Sequence, residues 1–464
     1  VRGDRARHAQ GAVIPAAWRA PGAEVAVVGL GRSGVAATRL LAREGVHVYA
    51  SDAATPGDAD AVARLRALAG VTVETGGHDF ARLRRTVALV VSPGVPPEAP
   101  AVAAAREAGV PIVSELDLGW RALAGQGTRG IAITGTNGKT TTTALIAHLL
   151  EGAGVAAMAA GNIGRPLADI AVAGERYAWL AIEVSSFQLH DSPGFTPDVG
   201  VLTNLAPDHL DRYPDLGAYY ADKRLLFRNA RPGDTWVLNG DDAAVLDLAR
   251  GVAGRPLRFS LAGPADAWYD GPARSLRLGD APLLRRDDLH LLGDHNVANA
   301  LAAALAARAV GAPLDRLAAA LGTFRALPHR LELVREVGGV LWINDSKATN
   351  VASTRVALAA MDRPFVLLLG GRHKGQPYTG LAPLLSGRCR GIVAYGEAGA
   401  QVERDLTGAA PLERGGSFDD VVARAARRAR PGDAVLLSPA CSSYDMFRNY
   451  EERGARFRTL ADAL

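Results

Sequence analysis

Four lysines, Lys139, Lys223, Lys347 and Lys374, stand among 52 basic residues, and all the others are arginine. Lysine differs from arginine in two chemically useful ways. Its ammonium is a compact point charge, and its amine can lose a proton and be modified. In a chain that uses arginine almost everywhere, the surviving lysines are candidates for work a guanidinium cannot do. Each lies in a segment that also carries Gly, Asp or His.

Lys139 has the clearest setting, in Thr134-Gly135-Thr136-Asn137-Gly138-Lys139-Thr140-Thr141. An apolar run precedes it, and Leu145, Ile146, Leu149 and Leu150 follow at helical spacing. Glycines let such a loop turn its N–H groups toward phosphates, and the helix N-terminus favours anions. Lys139 would reach the β- and γ-phosphates of ATP, and the Thr140 hydroxyl would ligate Mg²⁺. The strict motif has glycine where Ile133 stands, so this is a variant loop. A Gly-rich turn between strand and helix is the plainer reading of the same residues.

Further along, the apolar run Ala178–Ile182 ends at Glu183. A carboxylate there suits a hard cation that prefers oxygen, or simply caps the strand exit. The segment Thr203–Asp211 contains His209, a candidate metal ligand, substrate-orienting group or turn cap. Lys223 lies beyond it on a predicted helix, next to Arg224. Nearer the N-terminus, Gly29-Leu30-Gly31-Arg32-Ser33-Gly34 is followed by Asp52. The pattern matches a dinucleotide fingerprint, with the loop holding a diphosphate and Asp52 accepting from a ribose hydroxyl or base. It does not separate NAD from another nucleotide diphosphate. Towards the C-terminus, Asn344–Asn350, Gly370–Gly375 and Ser438–Ser443 each follow a predicted strand. Three polar loops on one sheet edge, two with lysine, suit an anionic substrate. His295–Ala300 opens an Ala-rich helix, for which an Asn cap is the simplest role.

Strand ends and helix starts must position these loops. Predicted strands fall in three blocks: Glu24–Val28, Val46–Ser51, Val87–Val91 and Pro111–Val113; Gly130–Thr134, Ala178–Ile182, Val199–Leu202 and Thr235–Leu238; Val340–Ile343, Phe365–Leu369, Gly391–Tyr395 and Ala434–Leu437. Ala/Leu/Arg-rich helical stretches alternate with them, which indicates an α/β protein with mostly parallel sheets. The expected domains are a Rossmann-like one over 1–122, a P-loop ATPase-like one over 123–326 and a second Rossmann-like one over 327–464. The chain is 48% hydrophobic and 22% charged, with a formal net charge of +4 and no block of like charge. Nucleic acid is therefore not an expected partner. Two cysteines, Cys389 and Cys441, lack zinc-like spacing and suit a reducing compartment. No apolar stretch is long enough for a bilayer, and Val1–Gly11 reads as a tail, not a signal peptide. A cytoplasmic protein is expected.

Taken in order from Gly29 to Gly454, these segments resemble the Mur ligases of peptidoglycan synthesis. The phosphate loop, Glu183–Leu189 and the His-Asn-x-x-Asn-Ala segment resemble Mur and folylpolyglutamate ligases generally. Asn344–Asn350, the Gly-Gly-x-x-Lys-Gly loop and Ser438–Gly454 resemble the members that add D-glutamate. The resemblance implies ATP-dependent addition of D-glutamate to UDP-N-acetylmuramoyl-L-alanine, through an acyl phosphate and a tetrahedral intermediate, by a monomer. It implies that Gly135, Thr136, Asn137, Gly138, Lys139, Thr140 and Thr141 bind ATP together with Asn299, Arg330 and Asp345. Two Mg²⁺ sites would draw on Thr140, Glu183, His209 and Lys223, the last carrying a CO₂-derived carbamate. Lys139, Glu183, His209 and Lys223 would be the catalytic set. Arg32, Ser33, Asp52 and Gly94 would hold the uridine diphosphate end, and Asn162 the muramoyl part. Lys347, Thr349, Lys374, Ser443 and Tyr450 would form the amino-acid pocket. Ala53 and Ala54 depart from relatives with polar or basic residues there, and Tyr450 stands where Phe is frequent. Competing readings are a sister ligase with another acceptor or amino acid, an NAD-dependent oxidoreductase, and a nucleotide binder without turnover.

Overall fold

The computed structural model describes residues 14–55, 57–209 and 212–464. The N-terminal tail and Asp211 lie outside them. The chain divides into two compact units, one through residue 286 plus 298–321, the other 287–297 plus 322–464.

The first unit contains two sheets. The N-terminal one has β1 (Val25–Val28), β2 (Val48–Asp52), β3 (Val71–Thr75), β4 (Ala88–Val91) and β5 (Ile112–Ser114) in the order β3-β2-β1-β4-β5. All its pairings are parallel. β1 and β4 are buried along their whole length, which is why they read as continuous apolar runs without alternation. β3 was not among the expected strands: Val71-Thr72-Val73-Glu74-Thr75 has only two apolar residues, is fully buried nowhere and lies at the sheet edge.

The second sheet has β6 (Arg129–Thr134), β7 (Ala157–Gly161), β8 (Trp179–Glu183), β9 (Val199–Leu202), β10 (Thr235–Asn239), β11 (Arg255–Ser260), β12 (Ala267–Asp270), β13 (Ser275–Leu278) and β14 (Ala281–Arg285). Its order is β14-β13-β12-β11-β10-β9-β6-β8-β7. The strands β12, β13 and β14 pair antiparallel, a local departure from the expected parallel pattern. Their short runs are joined by tight turns, so no crossover helix marks them in the sequence. In the parallel part, β6 lies between β8 and β9, with Ile133 opposite Glu183 and Thr134 opposite Leu202. The ends of four strands thus lie side by side.

The second unit is built on β15 (Glu332–Val337), β16 (Val340–Asn344), β17 (Phe365–Gly370), β18 (Cys389–Tyr395), β19 (Leu412–Arg414) and β20 (Ala434–Leu437). The order is β15-β16-β20-β17-β18-β19, parallel except for the β15–β16 hairpin. Alternate residues of β17 feed two cores: Phe365, Leu367 and Leu369 face one, Val366 and Leu368 the other. That is the period of two expected for a strand covered on both faces. β16, β20 and β17 are neighbours, so the loops after Asn344, Leu437 and Gly370 leave one edge together.

Candidate active site

The loop after β6 is shaped by glycines that have no room for a side chain. Gly135 has φ +141° and Gly138 has φ +81°. A Cβ on Gly135 would stand 2.0 Å from Thr203 Oγ1, and one on Gly138 2.3 Å from Asn299 Oδ1. The adjacent strand end fixes the loop: Thr136 N donates to Asn204 O (2.8 Å) and Asn137 N to Asn204 Oδ1 (2.9 Å). The Thr203 hydroxyl donates to Asn137 O at 2.6 Å. The helix Lys139–Gly152 starts at once, and its N-cap Gly138 offers no side-chain cap. Thr140 and Thr141 occupy its first turn, half-buried. Asn299 belongs to the helix Asp294–Ala309, and its Oδ1 accepts from the Thr142 hydroxyl at 3.3 Å. Its link to the phosphate loop is a tertiary fact.

Two lysines meet at this loop. Lys139 Nζ donates to Gly135 O (3.0 Å) and Thr136 O (2.8 Å). Lys223 Nζ, from the helix Leu216–Arg224, donates to the same Gly135 O at 2.7 Å. Lys223 is 1% exposed and lies 4.5 Å from the Tyr219 ring centroid. Burial, reinforced by the neighbouring Lys139 charge, pushes its amine well below the ordinary lysine pKa. The shift favours the deprotonated, nucleophilic form of the amine.

Glu183 ends β8 and is 3% exposed. Asn162 Nδ2 donates to its Oε1 at 2.9 Å, while Oε2 is buried with no hydrogen-bond partner. Gly161 is paired with Glu183, which brings Asn162 to it. An unsatisfied buried carboxylate oxygen is costly unless a cation or donor completes it. That fits a Mg²⁺ ligand. His209 has φ +54°, a strained conformation for a residue with a Cβ. Its ring lies edge-on to Phe187 (5.3 Å) and Tyr219 (5.9 Å), and Tyr219 OH lies 3.3 Å from Thr136 Oγ1. Among the described residues, no three His, Cys, Asp or Glu side chains form a metal cluster. The candidate set contributes two such groups, with a threonine hydroxyl and a lysine completing it.

The first Gly-rich loop borders a cavity of about 700 Å³ whose walls include Arg32, Ser33, Asp52, Gly94 and Asn162. Four N-terminal residues and one central residue, chosen far apart in sequence, therefore share one space. Gly34 is required for packing: a Cβ there would stand 1.8 Å from Gly29 O. Asp52 has a bracing role the sequence reading did not foresee, accepting from Leu30 N (2.7 Å) and Ala54 N (2.9 Å).

In the second unit, buried Asp345 accepts from the Ser438 hydroxyl (2.8 Å) and Leu331 N (3.2 Å), tying the end of β16 to that of β20. Burial pushes its carboxyl up to about 7. Arg330 lies between His329 (φ +65°) and Leu331 (φ +44°), both strained. Lys347 Nζ sits 3.7 Å from the Tyr450 ring centroid, and Thr349 N donates to Lys347 O at 2.8 Å. Ser443 is buried, whereas Lys374 is exposed, so burial does not account for lysine at 374. Two residues here escaped the sequence reading. Arg453 is fully buried and grips Ser346 Oγ (2.9 Å), Ser346 O (2.8 Å) and Cys441 O (3.1 Å). Buried Tyr378 OH bridges His373 Nδ1 and Cys441 Sγ, each at 2.9 Å. Arg453 lies within the Ser438–Gly454 stretch, but nothing there distinguishes it from the chain's many other arginines, and Tyr378 lies in no motif.

Comparison with known proteins covers most of the chain. Residues 23–114 match the profile for a Mur ligase MurD-like N-terminal domain, 133–307 the Mur ligase middle domain, and 329–441 the Mur ligase glutamate ligase domain. The chain is 44% identical over 463 residues to the UDP-N-acetylmuramoylalanine–D-glutamate ligase of Anaeromyxobacter dehalogenans, covering 95% of this chain and 97% of that one. It is 44% identical over 454 residues to the enzyme of the same name from Salinibacter ruber, covering 94% and 97%. Among solved structures, the UDP-N-acetylmuramate-alanine ligase MurC of Thermotoga maritima shares the fold, with a TM-score of 0.62 at 19% identity over 95% of this chain and 99% of that one.

Proposed function

The chain belongs to the Mur ligase family, and from that premise we propose that it adds D-glutamate to UDP-N-acetylmuramoyl-L-alanine with ATP as the energy source, in peptidoglycan synthesis. The observation that carries the chemistry is the meeting of Lys139 and buried Lys223 on Gly135 O, in the same row of strand ends as Glu183 with its unpartnered oxygen.

In this reading the L-alanyl carboxylate attacks the γ-phosphorus of ATP, ADP leaves, and an acyl phosphate forms. The amine of D-glutamate then attacks the acyl carbon. The tetrahedral intermediate expels phosphate, and the amine proton is released. Positioning and charge neutralisation dominate such a reaction. The backbone of 135–138 and Lys139 receive the phosphates, with Thr141 in the first helical turn and Asn299 behind Gly138. Thr140, Glu183 and His209 would hold Mg²⁺, which supplies charge neutralisation on the phosphates. Lys223, whose amine burial biases towards the neutral form, gives up a proton, attacks CO₂ through the freed lone pair and loses a second proton to give a carbamate. This turns a cation into an anion able to face metal. Asn162 orients Glu183 and contacts the muramoyl part, while Arg32, Ser33, Asp52 and Gly94 hold the uridine diphosphate end. Within the second unit we assign Arg330 and Asp345 to the nucleotide, and Lys347, Thr349, Lys374, Ser443 and Tyr450 to the amino acid. We place the domain boundaries near residues 122 and 326.

The test is phosphate release from ATP with Mg²⁺ and the UDP substrate, across D-glutamate, L-glutamate, L-lysine, meso-diaminopimelate and no amino acid. Release with D-glutamate alone, with a new amide product, supports the reading. Release only with another amino acid moves the chain to a sister ligase.

A further inference from the structure

Phe80 is one of the few large apolar side chains left exposed among the described residues, at 39%, and it stands on the wall of the 700 Å³ cavity. It is mounted rigidly. Asp79, the N-cap of the short helix Phe80–Leu83, accepts from Arg82 N at 2.9 Å and donates its own N–H to Tyr49 OH at 2.7 Å. Tyr49 is itself buried, and its hydroxyl donates to Glu74 Oε2 at 2.6 Å. His78 lines the same wall, edge-on to Phe80 with centroids 6.2 Å apart. Its Nδ1 lies 2.9 Å from Ser51 Oγ. Tyr49 and Ser51 are two apart on β2, so both project from one face of the strand and hold 78 and 79 from below. β2 then delivers Asp52 and Ala53 to the cavity.

At positions 53 and 54 this chain has alanine, whose side chains offer no polar grip on a nucleotide. The cavity offers instead an exposed aromatic face on a fixed support. The Gly31-Arg32-Ser33 helix start, which suits a diphosphate, and Asn162 line the same cavity. A planar ring with an apolar face is the natural partner for that aromatic side chain. Burial lowers the His78 pKa, which disfavours a positive charge on that wall.

We propose that Phe80, braced by His78, is the shelf on which the nucleobase of the substrate stacks, and that this chain recognises the base through that face. The proposal rests on the reading of the cavity as the nucleotide-substrate site. Base–aromatic stacking corresponds to roughly 5- to 150-fold in affinity per base.

The experiment measures binding of uridine diphosphate and of base-free ribose 5-diphosphate to the full chain, its Phe80→Ala variant and its Phe80→Trp variant. The parent should prefer uridine diphosphate by a factor in that range. Phe80→Ala should lose that preference while holding ribose 5-diphosphate as before, and Phe80→Trp should keep it. Equal weakening of both ligands by Phe80→Ala, or an undiminished preference, overturns the proposal. Binding of neither ligand by the parent defeats the nucleotide-site reading itself, and with it the shelf. The test needs no amino acid or ATP, so a wrong D-glutamate assignment leaves its result intact. In turnover, Phe80→Ala should raise KM for the UDP substrate and leave those for ATP and D-glutamate unchanged.

Discussion

The phosphate loop after β6 and the three loops at the edge of the C-terminal sheet are both proposed here to receive anions, yet they are built by opposite means. Around 135–138 the backbone is the structure: two glycines at positive φ, crowded by Thr203 and Asn299, leave one path for the chain. At the C-terminal edge, side chains do the holding. Asp345 joins two strand ends through Ser438, Arg453 clasps the 346 and 441 loops, and Tyr378 links His373 to Cys441. A backbone-built site tolerates almost no added atom. A side-chain-braced site loses one link at a time. Charge differs as well: burial depresses a lysine amine in the first region and raises an aspartate carboxyl in the second. Each is held towards its neutral form, as desolvation requires.

Four substitutions would break or sharpen this contrast. Lys223→Ala should reduce turnover roughly 10²–10³-fold, the scale for losing one preorganised electrostatic group. Added formate or acetate should restore part of it. Lys223→Arg, which is permanently cationic and cannot be carbamylated, should stay inactive; full activity there would refute the carbamate. Gly138→Ala should abolish measurable ATP binding in equilibrium dialysis, since its Cβ meets Asn299 and its φ is left-handed. Gly94→Ala, with nothing within 4 Å of its Cβ, is the matched control and should bind ATP normally.

In the side-chain-braced region the losses should be smaller. Tyr378→Phe removes one bridging hydroxyl and should raise KM for D-glutamate about fivefold, the equivalent of roughly 1 kcal/mol for one hydrogen bond. KM for ATP should not move, and an equal change in both would remove the distinction between the two regions.

The smallest effect concerns stability. Glu115 is buried, accepts from Ala168 N at 2.7 Å, and has its carboxyl pushed up to about 7 by burial. A folded-state value above the unfolded 4.5 means the folded protein binds more protons. Its contribution is fully present below pH 4.5 and is lost as pH rises through about 7. Glu115→Gln should flatten the fall of the thermal midpoint over that window. Asp345 acts with the same sign in the other unit, so some slope should remain.

This contrast also explains what could be read in advance. The phosphate loop was legible because a backbone path that only glycine can follow leaves glycines at fixed spacing. The buried strands were legible as apolar runs, and Val199–Leu202 and Ala434–Leu437 match their predicted limits. The antiparallel β12–β14 segment was not, because short half-exposed strands carry little periodic signal. Arg453 and Tyr378 were invisible because their importance lies in what they touch. Strain was invisible too: His209, His329, Leu331 and Ala440 have positive φ in or beside the candidate loops, and no residue type announces it.

Sequence by itself determined the local matters: which segments are buried strands, where glycine lets the chain approach phosphate, and which four amines survive among arginines. These follow from residue type and spacing, since backbone freedom and burial period are properties of neighbours along the chain. Only the tertiary structure decided that Lys139 and Lys223 share one carbonyl, that Glu183 keeps an unpartnered oxygen, and that Asn162 reaches both Glu183 and the cavity of Arg32 and Asp52. Those facts depend on the register of parallel strands whose partners lie tens of residues apart. Burial, which sets the pKa of Lys223 and Asp345, exists only once the sheets are packed.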